Sequence, residues 1–312
     1  MSRNPADLYQ VSPDAPRTDG DAVMLYYLDG FIDAGAAGRL LTAHLMSTLE
    51  HEQVATFDID SLLDYRSRRP IMTFAKDHWD DYDAPELAVS RLRDAEGTPF
   101  LLLAGLEPDR EWEAFTAAVV QLSIDLGVRL SVSFHGIPMG VPHTRQLGVT
   151  AHATSPGLID GYRPVLDKLQ VPGSAAALLE YRLGAAGRNA IGFAVHVPHY
   201  LSQAAYPAAA ATLLDSVQRA TGLVLPGDAL REAAHRTNLE IARQVEGSFV
   251  YGLSSLLYGE CTVRDEKRAV FLGRIALCKR STRRRAVQLA IRIATIHRLR
   301  GARANWSIRA SR

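Results

Sequence analysis

The feature that most constrains this chain is a recurrence of short, unbroken apolar runs separated by stretches of helical period. Residues 22–28, Ala-Val-Met-Leu-Tyr-Tyr-Leu, form one such run and end at Asp29-Gly30. A strand that is apolar at every position has both faces buried, as strands inside a covered sheet do. Residues 34–49 follow, with Ala37, Leu40, Leu41 and Leu45 on one helix face and Asp33 where an N-cap belongs. The alternation continues. Residues 54–59, 100–104, 130–134 and 191–197 read as strands, and 110–126, 174–183, 207–220 and 228–245 as helices. Within 110–126, Trp112, Phe115, Val119 and Leu122 fall at steps of three, four and three, and Gly127 stops the helix. Strands alternating with amphipathic helices imply right-handed crossovers. The expected fold is α/β: a mostly parallel sheet with helices on both faces.

Charge divides the 312 residues unevenly. Residues 1–246 hold 20 basic and 31 acidic side chains, whereas 247–312 hold 15 basic and 3 acidic. Both cysteines, Cys261 and Cys278, lie in that last segment. Three parts are expected: a flexible leader over 1–20 with Pro5, Pro13 and Pro16, an α/β domain over 21–246, and an atypical basic C-terminal segment over 247–312. A cysteine-free body argues against a disulfide framework and fits a reducing compartment, so the cytoplasm is expected. No run approaches the ~18 apolar residues of a membrane span, and the leader lacks the apolar core of a signal peptide.

Ligands of α/β sheets bind beyond the carboxyl ends of strands, so those loops hold the candidate residues. The first is Asp29-Gly30-Phe31-Ile32-Asp33-Ala34-Gly35. A helix starting there has free N–H groups suited to an anion. It is neither a G-x-G-x-x-G nor a P-loop, and its two aspartates repel phosphate, so Asp33 also reads as a plain helix cap. The second carries Asp58, Asp60 and Asp64 with Arg66, Arg68 and Arg69, an ion-pair network or subunit contact rather than a metal site. The third is Glu107-Pro108-Asp109, with acids near the positive end of the next helix and Glu107 a general base if buried. The fourth holds His135-Gly136-Ile137-Pro138 and then Pro142-His143-Thr144-Arg145, a group suited to an oxyanion. The fifth is His196-Val197-Pro198-His199-Tyr200, whose proline keeps the two histidines off a shared helix face and argues against zinc.

The expected pocket is lined by Asp29, Asp33, Glu107, His135, His143, Arg145 and His199, with Asp29 and Glu107 paired to Arg145 or a protonated histidine. No G-x-S-x-G elbow and no assignable Ser/His/Asp or Cys/His set is present, so no catalytic residue, metal or cofactor is expected.

Taken in order, these blocks resemble the proteasome assembly chaperone 2 family, and its actinobacterial branch most closely. The resemblance rests on Asp29 to Gly35, on Asp58-Ile59-Asp60 through Asp64-Tyr65, Arg66 and Arg69-Pro70, and on Glu107-Pro108 with Trp112 and Phe115. Pro142-His143-Thr144-Arg145, Val171-Pro172-Gly173-Ser174 with Leu178-Leu179-Glu180-Tyr181, and Val197-Pro198-His199-Tyr200 complete it. It covers residues from about 20 to 245 and departs at Gln146, where the branch often has proline, and in the tail. It implies a phosphorylase/hydrolase-like fold and a non-catalytic, chaperone-like or scaffold protein. It also implies a homo-oligomer, with a trimer as the expectation. Phe74, Trp79 and Tyr82 lie in a long connection that a subunit interface would bury. The alternative is a small-molecule-binding or hydrolase/phosphorylase-like protein using the strand-end loops. Relatives that assist 20S proteasome assembly often dock through a C-terminal tail with a penultimate aromatic and a terminal aliphatic residue. This chain ends Ile308-Arg309-Ala310-Ser311-Arg312, so that mode of docking is not expected.

The basic segment leaves several readings open. Residues 286–299 place Val287, Leu289, Ala290, Ile293 and Ile296 among arginines, the pattern of a basic amphipathic helix. Through 264–312 such a helix would bind nucleic acid or an acidic membrane surface. A divergent appendage, or a reading-frame change in the gene, accounts for the same shift in composition.

Overall fold

The computed structural model describes residues 4–13, 21–162, 168–258, 260–264 and 267–271. It divides into two compact units, Met1–His235 and Arg236–Arg312. The elements of the first half are β1 (Tyr9–Val11), β2 (Ala22–Asp29), α1 (Ala37–Thr48), β3 (His51–Phe57), α2 (Ile59–Leu62), β4 (Met72–Ala75), β5 (His78–Tyr82), β6 (Leu87–Arg93), β7 (Pro99–Leu106) and α3 (Trp112–Asp125). They continue with β8 (Val128–Met139), β9 (Val149–Ala153), α4 (Ala175–Ala185), β10 (Asn189–Pro198), α5 (Pro207–Thr221), α6 (Asp228–Tyr258), β11 (Glu260–Arg264) and β12 (Lys267–Phe271).

Eight strands form one sheet in the order β1-β3-β6-β7-β2-β8-β10-β9. The four inner strands β7, β2, β8 and β10 run parallel, with Tyr26 of β2 level with Leu103 on one side and Ser133 on the other. The flanking pairs are antiparallel. The parallel strands are the ones covered on both faces, so they are the ones that read as continuous apolar runs.

Alternation along β2 divides its side chains between two cores. Met24 and Tyr26, with Leu101 and Leu103 of β7, pack against Phe115, Val119 and Leu122 of α3 and Leu179 and Leu183 of α4. On the other face α1 packs against α5 and β8, burying Leu41 and Leu45 of α1 and Leu213, Leu214 and Val217 of α5. Each such leucine contributes about 1.5–3 kcal/mol by leaving water. Close approach of α1 requires Gly38: a β-carbon there would lie 2.5 Å from the Tyr27 ring and 2.9 Å from the Phe134 carbonyl oxygen.

Three differences from the sequence reading stand out. Residues 4–13, expected in a loose leader, bury Leu8 and place β1 beside β3 with Tyr9 level with Phe57. Strand β8 runs through His135, Gly136 and Pro138 to Met139, so His135 stands inside a strand rather than in the loop after it. The long connection around Phe74 and Trp79 is a separate hairpin of β4 and β5, whose two rings meet edge-on at 5.1 Å.

In the second unit the later residues of α6 are followed by the antiparallel pair β11–β12. The amphipathic helix expected over 286–299 lies outside the described residues. Among the described residues, no helix is long and apolar enough to cross a membrane.

Candidate functional site

Period two along β2 puts Tyr27 and Asp29 on one side of the strand at its carboxyl end. The Tyr27 hydroxyl donates to Asp29 at 3.3 Å and to Asp33, on the following turn, at 3.0 Å. Burial, then the two carboxylates, push the Tyr27 phenol far above its ordinary range. Asp33 also accepts the N–H groups of Gly38 (2.9 Å) and Arg39 (3.0 Å) in the first turn of α1, and that of Gly136 in β8 (2.9 Å). Four donors therefore converge on one carboxylate. It satisfies helix N–H groups that would otherwise be orphaned and ties α1 to the sheet.

Glu107 follows β7 and is buried. Its N–H donates to the Asp29 carbonyl at 3.0 Å, so the two strand ends are side by side. Its carboxylate accepts the N–H of Ala175 at 2.7 Å, at the start of α4. The sequence places its charge at the start of the next helix, α3, but the chain folds so that Glu107 serves α4. There Ser174 adds a second cap, accepting from the Ala177 N–H at 3.1 Å.

Among the described contacts neither the Asp29 nor the Glu107 carboxylate takes the cationic partner expected for it. Arg145 is exposed and meets neither Asp29 nor Glu107 among the described contacts. Arg68 instead reaches the Asp29 carbonyl at 3.2 Å and pairs with Asp109 at 3.1 Å. His143 turns to Tyr200, its ring nitrogen 2.6 Å from the phenol oxygen, which also accepts the His143 N–H at 2.9 Å. His199 opens an exposed 3-10 turn. Burial, and then His152, push the His135 imidazole down to about 4 against the opposing pull of Asp33 and Glu180, so His135 is neutral at pH 7. The sequence-predicted residues thus divide: Asp29, Asp33 and Glu107 share one corner of the sheet, and the His143–Tyr200 pair forms another contact.

Two adjoining cavities open at that corner, about 520 and about 390 Å³, and Tyr27, Asp29 and Arg39 line both. Arg68, Arg69, Ile71 and Glu86 are among the other residues that line the larger; Asp33, Phe31, Ile32 and Ser202 are among those that line the smaller. Glu107, His135, His143, Arg145 and His199 line neither of the two. Sequence reasoning passed over Tyr27 and Arg39. Their signals were a Tyr-x-Asp step on one strand face, and an arginine in the first turn of a helix, where the dipole disfavours positive charge. Among the described residues no three His, Cys, Asp or Glu side chains gather to hold a metal ion.

Fold and site together define an α/β domain whose strand-end carboxylates hold helices in place, with an open cleft and an exposed aromatic hairpin beside them. The PAC2 family model matches residues 27–245, and the chain belongs to that family. It is similar to a Mycobacterium tuberculosis protein of unknown function at 50% identity, over 77% of this chain and 83% of that one, with a TM-score of 0.73. A Corynebacterium glutamicum protein of unknown function matches at 37% identity, over 77% of this chain and 91% of that one, also with a TM-score of 0.73. A second M. tuberculosis protein, a proteasome-assembly chaperone homologue, shares the fold at 24% identity, 71% and 94% coverage and a TM-score of 0.67. The similarity falls in the actinobacterial branch that the sequence blocks resemble. No curated protein matches the chain.

Proposed function

We propose that this protein is a non-catalytic, chaperone-like scaffold of the cytoplasm that works on protein partners as a homo-oligomer, with a trimer as its state. The observation that carries this reading is the occupancy of Asp33. A carboxylate that accepts from Tyr27, Gly38, Arg39 and Gly136 has no lone pair directed at a substrate. Glu107, the other acid placed for chemistry, is committed to Ala175. The surface beside them carries the opposite character: Phe74, Trp79 and Tyr82 are exposed on one hairpin, and Phe31 and Ile32 are exposed at the cleft. Exposed apolar groups of that size mark protein contacts. The name of the M. tuberculosis relative, a proteasome-assembly chaperone homologue, points to the same class of role.

The test is a pull-down with the tagged full chain, read by mass spectrometry, beside a parallel binding assay with purified proteasome core particles. The reading expects a small, reproducible set of co-purifying proteins. It fails if no protein is retained while a screen of nucleosides, phosphate and acidic metabolites finds a compound that the chain binds and turns over.

A further inference from the structure

Five charged side chains line the larger cleft without forming an ion pair among the described residues: Arg39, Arg69, Asp29, Asp83 and Glu86. A sixth, Arg68, is taken by Asp109. The fold sets these charges on different elements. Asp29 and Leu106, level with each other at the ends of β2 and β7, form the floor. Arg39, Thr42 and Ala43 fall three and four residues apart on α1, so one side of that helix makes a wall. Residues 68–71 and 83–86 make a second wall, joined by the Asp83 N–H on the Ile71 carbonyl at 2.9 Å. The Leu106 N–H, donating to the Glu86 carbonyl at 3.3 Å, anchors that wall to the floor. Thr42 leaves a further polar group unspent. A helix threonine can return its hydroxyl to the carbonyl one turn back, yet the buried Thr42 hydroxyl has no hydrogen-bond partner among the described residues.

Charge and shape together select a class of ligand. A volume of about 520 Å³ is that of a small-molecule site. Between the charges lie Ala43, Ile71, Pro85 and Leu106, which suit an apolar body. Two unpaired guanidinium groups attract an anion, and the walls of a cleft focus their field. Three carboxylates in the same space repel a dianion such as phosphate. A molecule with one carboxylate and one ammonium matches both sets, in one orientation. A free amino acid carries those charges on a single carbon and cannot span groups that do not themselves meet. A peptide of a few residues spaces them at ~3.3 Å per residue.

We propose that the Arg39–Arg69–Glu86 cleft binds a short peptide with free termini. Its carboxylate lies against Arg39 and Arg69, its ammonium against Asp83 and Glu86, and its apolar side chains on Ile71, Pro85 and Leu106. Asp33 and Glu107 are already committed to backbone N–H groups, so the peptide is held and not cleaved. The inference goes beyond the scaffold reading above and stands whether or not protein partners are found.

The experiment is isothermal titration calorimetry on the full-length chain with the tripeptide Val-Leu-Ala, free at both ends, and with its N-acetylated and C-amidated forms. Two variants accompany the wild type, Arg39→Gln/Arg69→Gln and Asp83→Asn/Glu86→Gln. All four side chains are exposed, so wild-type circular dichroism is expected of both. The wild type is expected to bind the free peptide about tenfold or more tighter than either blocked form, the usual weight of one charge-assisted contact. The arginine variant should bind acid and amide alike while still preferring the free amine. The carboxylate variant should show the converse. A merely structural change would not move the two preferences separately. Recovery of the intact peptide separates this site from the turnover that would defeat the scaffold reading. The proposal is overturned if the wild type binds no free peptide at millimolar concentration, if blocked forms bind as tightly, or if the variants keep both preferences. Tighter binding of phosphate or of spermidine, lost in the same variants, would make the cleft a plain anion or cation site and overturn it as well.

Discussion

Glu107 occupies the space that a side chain on Gly30 would need. A β-carbon built on Gly30 would lie 2.0 Å from Oε2 of Glu107 and 2.4 Å from its β-carbon. The glycine thus lets a buried carboxylate reach the Ala175 N–H at the start of α4. Gly30→Ala is expected to displace Glu107 and cost about 1–3 kcal/mol, the usual range for overpacking. Urea unfolding measures it. The double variant Gly30→Ala/Glu107→Ala should lose less than the sum of the two single changes, because both act through the same contact.

Asp33 makes a sharper case. Replacing it with alanine leaves the Gly38, Arg39 and Gly136 N–H groups and the Tyr27 hydroxyl without their acceptor. Unsatisfied buried donors cost about 1–3 kcal/mol each, and water recovers part of that at the rim. Asp33→Ala is expected to destabilise by about 3 kcal/mol or more, and Asp33→Asn by less, since the amide keeps one accepting oxygen. Equal losses in the two variants would mean that one retained accepting oxygen does not hold these donors, against the account.

His135 sets a pH dependence whose sign follows from its burial. Its folded-state value is down near about 4, against 6.5 for a free imidazole. Between those values the unfolded chain takes up a proton that the folded chain refuses. Stability is therefore full above about 6.5, falls as pH drops through the window, and levels off below about 4. At about 1.4 kcal/mol per unit, the loss is on the order of 3 kcal/mol. Burial also lowers His196, which adds in the same direction. Urea midpoints at pH 7.5 and 4.5 should differ less for His135→Gln than for wild type. An unchanged difference would remove His135 from the account.

These results show which parts of the chain were legible in its sequence. Strands β2, β7, β8 and β10 announced themselves because parallel strands covered on both faces are apolar throughout. The face of α3 was visible in the spacing of Phe115, Val119 and Leu122. Asp33 as the holder of the next helix was also legible, since caps are local. Strand β9 was not: Val149–Ala153 is five half-buried residues without a strong period. The true end of β8 was hidden because Gly136 and Pro138 read as breakers. Gly136 is there because the Ala34 carbonyl oxygen would lie 2.0 Å from any β-carbon. Glu107 and Ala175 are 68 residues apart, and no spacing rule connects a strand end to a helix that distant.

The β4–β5 hairpin offers a prediction of the opposite kind. Trp79 and Phe74 touch each other and are otherwise exposed, so Trp79→Ala should change the unfolding free energy of a single chain by about 0.5 kcal/mol or less. Dilute thermal unfolding, at concentrations where subunits are separated, checks it. A loss of several kcal/mol would place Trp79 in the chain's own core.

The central claim is that this fold serves assembly, and the solution mass of the full-length wild-type chain tests it most directly. One chain weighs 34.1 kDa. Multi-angle light scattering at micromolar concentration is expected to give roughly three times that mass, falling to a single chain when Phe74 and Trp79 are replaced. A wild-type mass of one chain at that concentration would contradict the account.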